Sequence, residues 1–341
     1  MTSGRVGRVV VLATSPRLPV GLLTAAAWDV LRSSEVLVST ADHRQLPALL
    51  AAGVRPDVVA DDSVGSVAAL LHARALRGDV VVWLATPGAD EELVRSVGRR
   101  CMLPPVVTLE VLHGSYDPPG ARLLDVVSVM DRLRSPGGCP WDAQQTHDSL
   151  KPYLIEETYE AYDALETGDL AALREELGDV LLQVAFHARL AQEAAQPEER
   201  WSIDEVAIDL VDKLVRRHPH VFAGAPAGDL GASWDAIKAN EKGRTSVTDG
   251  VPLSQPALAL AAKLQKRAGR LGAPVTAYDG LGGQLWELVG RCREAGLDPE
   301  VELRSVARRY RDRLAQVERD VRADGGDPAA LSQQQWEQRW S

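Results

Sequence analysis

The chain has 341 residues, of which 25% are charged, and a net charge of −10 with a pI near 5.3. That length suits two or three domains with a proper core, and so acidic a balance argues against general nucleic-acid binding while leaving room for an anionic small molecule held by a metal and a few basic side chains. Cys101, Cys139 and Cys292 form no CxxC pair, which argues against a disulfide framework or a thiolate zinc site and suits a reducing cytoplasm. No apolar run approaches the roughly 18 residues of a membrane span, and "MTSGRVGRVVVLATSP" lacks the features of a signal peptide.

Residues 1–115 read as α/β. "RVVVLA" (8–13) and "DVVVWLA" (79–85) are short β-branched runs, and "VGLLTAAAWDVLRSS" (20–34) and "VGSVAALLHARALRG" (64–78) have helical periodicity. The alternation predicts a small, mostly parallel sheet, with "PPVVTLEVLHGSYDPPG" (104–120) as a final strand and linker. From 121 onward the pattern changes to long amphipathic helices: 121–136, stopped by "PGGCP"; 146–168, ended by Gly168; 169–194, with Asp169 as N-cap; and 202–222, opened by Ser202 and Glu205 at capping-box spacing. A Gly/Pro-rich stretch follows, interrupted by "ASWDAIKANEKGR" (232–244), and then "PALALAAKLQKRAGRLG" (256–272) and a helical tail.

The stretch "LIEETYEAYDAL" (154–165) places Glu156, Glu157 and Glu160 on roughly one face of its helix. The next helix carries Glu176 and Asp179 at i, i+3, with Gln183 one turn on. The short "ETGD" turn between the helices lets them fold back antiparallel, which aims two acidic stripes at each other. Converging carboxylates near an apolar interface repel and are costly to desolvate, and a hard divalent cation, Mg²⁺ or Mn²⁺, removes the conflict. Spacing alone leaves two readings, a metal site and a solvated acidic face. No histidine falls at the ExxH spacing of di-iron bundles, and His187 is expected to pack or cap.

These residues bear a resemblance to the MazG nucleoside triphosphate pyrophosphohydrolases, whose signature is EExxE, a spacer and ExxD. "MDRLRSPGGCPWDAQQTHDSLKPYLIEETYEAYDAL", "LREELGDVLLQVAFHARLAQE", "DKLVRRHPHVF" and "WDAIKANEKGR" carry the likeness over about 121–245. The resemblance implies an all-α helical bundle, usually dimeric, that hydrolyses NTP to NMP and pyrophosphate with Mg²⁺. It implies Glu157, Glu160, Glu176 and Asp179 as metal ligands, with Glu156 beside them in the catalytic group. On spacing alone, compensation of a helix dipole is the readier account of the basic residues of "KLVRR" (Lys213, Arg216 and Arg217). The resemblance makes them phosphate-binding residues, with Trp234 available to stack on a base and Lys238 and Lys242 as weaker phosphate candidates. His218 and His220, which flank Pro219, and Trp141 and Cys139 in "GGCPWD" are expected to be structural.

The tail resembles a second such repeat with its middle altered: Gly280 and Gly283 stand where Glu176 and Asp179 stand in the first, and no EExxE precedes them. "GLLTAAAWDVLRSSEVLV" (21–38) resembles the start of the tetrapyrrole methylases, but "LATSPRLP" (12–19) lacks a glycine-rich run and about 115 residues are too few for that whole fold. The expectation is therefore an α+β multidomain chain: a degenerate α/β domain over 1–115, a catalytic all-α domain over 121–245, and a degenerate helical repeat over 254–341. The expected protein is a cytoplasmic homodimer acting on NTPs or dNTPs, with no nucleic-acid polymer or membrane as partner. Two alternatives are a nucleotide- or metal-binding regulatory module without turnover, and a methyltransferase working through the N-terminal part.

Overall fold

The computed structural model describes residues 7–86, 90–224 and 246–340. The chain divides into two compact units, residues 1–212 and 213–341.

The first unit opens with a five-stranded sheet in the order β3-β2-β4-β1-β5. Its strands are β1 (Arg8–Ala13), β2 (Glu35–Val38), β3 (Asp57–Val58), β4 (Val80–Leu84) and β5 (Thr108–His113). All of the pairings are parallel, with β1 in register between β4 (Val10 opposite Val82) and β5 (Val10 opposite Glu110). The connecting helices are α1 (Ala25–Ser33), α2 (Leu46–Ala51), α3 (Val64–Ala75) and α4 (Glu91–Cys101).

The sheet is buried on both faces, which is why β4 and β1 from Val9 onward are unbroken apolar runs. Val9, Val11 and Trp83 pack with Leu71 of α3 and Val97 of α4. Val10, Leu12 and Val82 pack on the other face with Leu31 of α1 and Leu49 of α2. The loop after β1 is tied to the segment after β5: the Ser15 hydroxyl and the Arg17 guanidinium both donate to Asp117, and Arg17 also reaches Asp125.

The same unit continues through α5 (Leu123–Arg134), α6 (Pro140–Gln144), α7 (Lys151–Thr167), α8 (Leu170–Ala191) and α9 (Ile203–Arg217), the last of which runs across the boundary between the units. Met130 of α5, Leu150 before α7 and Phe186 of α8 form a small core. The buried Arg134 side chain stabilises it: its guanidinium pairs with Glu193 at 2.7 Å, donates to the Asp142 carbonyl, and lies 5.4 Å from the Phe186 ring centroid. Ser202 and Glu205 close the start of α9, with the Ser202 amide donating to Glu205 at 2.7 Å.

The second unit holds α10 (Pro219–Phe222), α11 (Ala257–Gly269), α12 (Gly280–Glu294), α13 (Pro299–Ala323) and α14 (Gln333–Trp340). Pro219 cannot continue α9, so the single helix expected over 202–222 is broken at His218. Buried Gln265 links α11 to α12 by donating to the Trp286 carbonyl at 2.8 Å.

The chain is helix-rich, but it is not all-α as a whole because of the N-terminal parallel sheet. No helix among the described residues is long and apolar enough to cross a membrane.

Candidate metal and nucleotide site

The site is built on the α7–α8 hairpin. Gly168 ends α7 in the left-handed region at φ 72°, a conformation that a side chain would strain, and Asp169 caps α8 by accepting from the amides of Ala171 and Ala172 at 3.0 Å each. The Asp169 amide also donates back to the Ala164 carbonyl at 3.1 Å. This two-residue joint turns α8 antiparallel against α7, and Ala161 and Ala164 are buried on α7. Small residues there let the helices approach closely enough for side chains further along to meet.

Glu157 on α7 and Glu176 and Asp179 on α8 converge there. Each offers a carboxylate oxygen, these oxygens lie within 4.8 Å of one another, and all three residues are half-buried. Among the described residues, this is the one group of three or more potential ligands close enough to share an ion. The cluster is strained electrostatically. Burial raises the Glu157 carboxyl above the usual carboxylate range, and the charges of Asp179, Glu160, Glu156 and Glu176 raise it further. Glu176 is also raised, by burial first, then by the charges of Glu160, Asp179 and Glu175 and by a hydrogen bond with Glu160. An all-oxygen donor set in which Glu157 and Glu176 are both pushed toward their neutral forms fits a hard divalent cation, which favours the ionised forms.

Glu156 and Glu160 are exposed. Glu160 stays close enough to hydrogen-bond Glu176, while Glu156 acts on Glu157 through its charge alone. Lys213, Arg216 and Arg217 stand at the C-terminal end of α9 and belong to the second unit. Trp234, Lys238 and Lys242 lie outside the described residues.

The polar seam continues beyond the acids. Gln183 is 4% exposed, and its Oε1 is buried without a hydrogen-bond partner among the described residues. One turn further, His187 Nδ1 meets His147 Nδ1 at 2.7 Å, with the rings parallel. His187 Nε2 is buried and also lacks a partner among the described residues. Burial, and then the neighbouring His147, lower the His187 pKa. His147 was not singled out by spacing, because it lies 40 residues away and meets His187 only once the hairpin has closed.

In the second unit no such cluster forms among the described residues. Gly283 is buried, and a Cβ there would lie 1.6 Å from the Tyr278 carbonyl oxygen, so this backbone has no room for an acidic side chain at the position that the sequence aligns with Asp179.

Residues 145–222, which include both helices of the hairpin, match the family model of the MazG nucleotide pyrophosphohydrolase domain. The chain is 52% identical over 240 residues to an uncharacterised protein of Streptomyces cacaoi, covering 68% of this chain and 96% of that one. It is 46% identical over 204 residues to a nucleoside triphosphate pyrophosphohydrolase of Mycobacterium tuberculosis, covering 59% of this chain and 60% of that one. It is 38% identical over 233 residues to the nucleoside triphosphate pyrophosphohydrolase/pyrophosphatase MazG of Thermotoga maritima, covering 60% of this chain and 89% of that one. With the acid-bearing hairpin inside the matched region and a named relative covered over most of its length, the chain belongs to the MazG family of nucleotide pyrophosphohydrolases.

Proposed function

We propose that the protein hydrolyses nucleoside triphosphates to nucleoside monophosphate and pyrophosphate, using the α7–α8 carboxylates to hold Mg²⁺ or Mn²⁺. The observation that carries this reading is the approach of Glu157, Glu176 and Asp179 to within 4.8 Å. Glu157, Glu176 and Asp179 are the proposed ligands, with Glu160 joining them from one turn along α7. When bound, the cation offsets charge on the triphosphate and lowers the pKa of water there.

The chain's own residues do the rest. Phosphoryl transfer depends mainly on positioning and electrostatics, and the hairpin fixes three carboxylates before substrate arrives. Glu156, exposed on the same helix, is the proposed orienter of the attacking water. Lys213, Arg216 and Arg217 supply the cations that bind the triphosphate. The nucleotides of the cellular pool, canonical or damaged, are the proposed substrate class.

The test is pyrophosphate release from an NTP panel by the wild type and by Glu157→Gln, Glu160→Gln, Glu176→Gln and Asp179→Asn. Each variant is expected to keep its fold and lose turnover. Normal turnover in all four would show that the site is elsewhere. Nucleotide binding without pyrophosphate release by the wild type would favour a regulatory module.

A further inference from the structure

The second unit carries a recess of about 530 Å³ lined by Lys263 and Lys266 of α11, Arg293 of α12 and the Leu297–Asp298–Pro299 turn that starts α13. In a chain of net charge −10, three cations and one carboxylate face this space. The carboxylate is already engaged: Asp298 Oδ1 accepts from the amides of Glu300 and Val301 at 2.9 and 3.3 Å as the N-cap of α13. The ion pairs Arg304–Glu300, Arg311–Asp312, Arg322–Glu318 and Arg339–Asp324 of this unit involve none of the three cations.

Dipole compensation accounts for part of this charge, since Lys266 and Arg293 lie in the last turns of α11 and α12. It does not account for Lys263, which stands more than a turn from the end of α11. Nor does it account for the direction of Arg293. Its Nη1 donates across the helix pair to Gln265 Oε1 at 3.2 Å, and Gln265 Nε2 donates to the Trp286 carbonyl at 2.8 Å. Gln265 is 1% exposed. A buried amide therefore fixes one arm of the guanidinium and leaves the remainder of its planar fork to meet a ligand, the geometry suited to a phosphate group. The volume lies within the range of small-molecule pockets.

We propose that this recess binds a phosphate-bearing anion of at least pyrophosphate size, with Lys263, Lys266 and Arg293 as its charge partners and no divalent cation. None of its lining residues belongs to the carboxylate cluster, and the proposal does not depend on the assigned reaction. The ligand is inorganic pyrophosphate or the phosphate of a nucleotide.

The experiment is calorimetric titration of the full chain in EDTA, with inorganic pyrophosphate in one arm and AMP in the other. EDTA removes metal-assisted binding at the carboxylates. Lys263 and Lys266 are exposed, so Lys263→Ala/Lys266→Ala should retain the wild-type circular dichroism, and Arg293→Gln serves as a second variant. Saturable pyrophosphate binding is expected, weakened about tenfold or more in both variants and strengthened at low salt. Binding of AMP with the same variant pattern would extend the ligand class to nucleotides. No saturable binding of either anion, or binding unchanged in Lys263→Ala/Lys266→Ala and lost in Lys213→Ala/Arg217→Ala, would overturn the proposal.

Discussion

At the residue scale the carboxylate cluster sets stability against function. Glu157 and Glu176 have folded-state pKa values above their ordinary ones, so the folded chain holds protons that the unfolded chain has released. The sign follows from linkage: this contribution favours the fold at low pH and is lost as pH rises through the raised values. In EDTA at neutral pH, Glu157→Gln and Glu176→Gln should therefore melt at or above the wild-type temperature. Mg²⁺ should raise the melting temperature of the wild type much more than that of either variant. A metal-free variant that melts well below wild type would mean the carboxylate holds the fold and not an ion. His187 has the opposite sign. Its lowered pKa gives stability that is complete above about 6.5 and is lost as pH falls through the folded-state value. Protonating both rings would also remove the acceptor from the Nδ1–Nδ1 hydrogen bond with His147. His187→Asn should flatten the decline in melting temperature below pH 6.5, and a decline as steep as the wild type's would remove His187 as its cause. The i, i+3 pair Glu176 and Asp179 was legible because helical spacing fixes neighbours on one helix. The outward placement of Glu156 and the pairing of His147 with His187 were not, because both depend on how α7 rolls against α8.

At the element scale the hairpin was readable from its punctuation. Gly168 and Asp169 stop one helix and start the next, and the structure uses both as expected. Strands β1, β4 and β5 were readable as β-branched runs. Strand β2 was hidden because its four residues follow directly on α1, and β3 has only two residues, too few to show a period. The N-terminal half of α9 is closed by a capping interaction, whereas its last turn carries Arg216 and Arg217, with Lys213 one turn earlier. Charge at a helix C-terminus has a general explanation, so affinity must distinguish it from nucleotide binding. Lys213→Ala and Arg217→Ala should each weaken NTP binding by roughly 1.5–3 kcal/mol, the value of a charge-assisted hydrogen bond. Their Mg²⁺ affinity in the absence of nucleotide should change less. Unchanged NTP affinity in both variants, with a lowered melting temperature, would return these residues to dipole compensation.

At the scale of the whole molecule, the helices of the first unit leave apolar surface uncovered. On α7, Ile155 is 58% and Tyr159 41% exposed, and on α8, Leu177 is 53% and Leu182 37% exposed. The acid cluster cannot form a core by itself, and the buried apolar cluster beside it comprises only Met130, Leu150 and Phe186. Exposed apolar side chains grouped on two packed helices mark an interaction surface, and a second copy presenting the same helices would cover them through an isologous contact. We therefore expect the full chain to sediment and scatter as a homodimer. Ile155→Asp/Tyr159→Asp should shift it toward monomer by placing unpaired charge in the buried surface. If the helices of two copies complete one bundle around the carboxylates, the same double variant should also lose pyrophosphate release while its far-ultraviolet circular dichroism stays unchanged. Light scattering and the pyrophosphate assay on one sample decide the matter. A folded monomer with full turnover would show that a single hairpin suffices, and a variant that remains a dimer would place the interface on other helices.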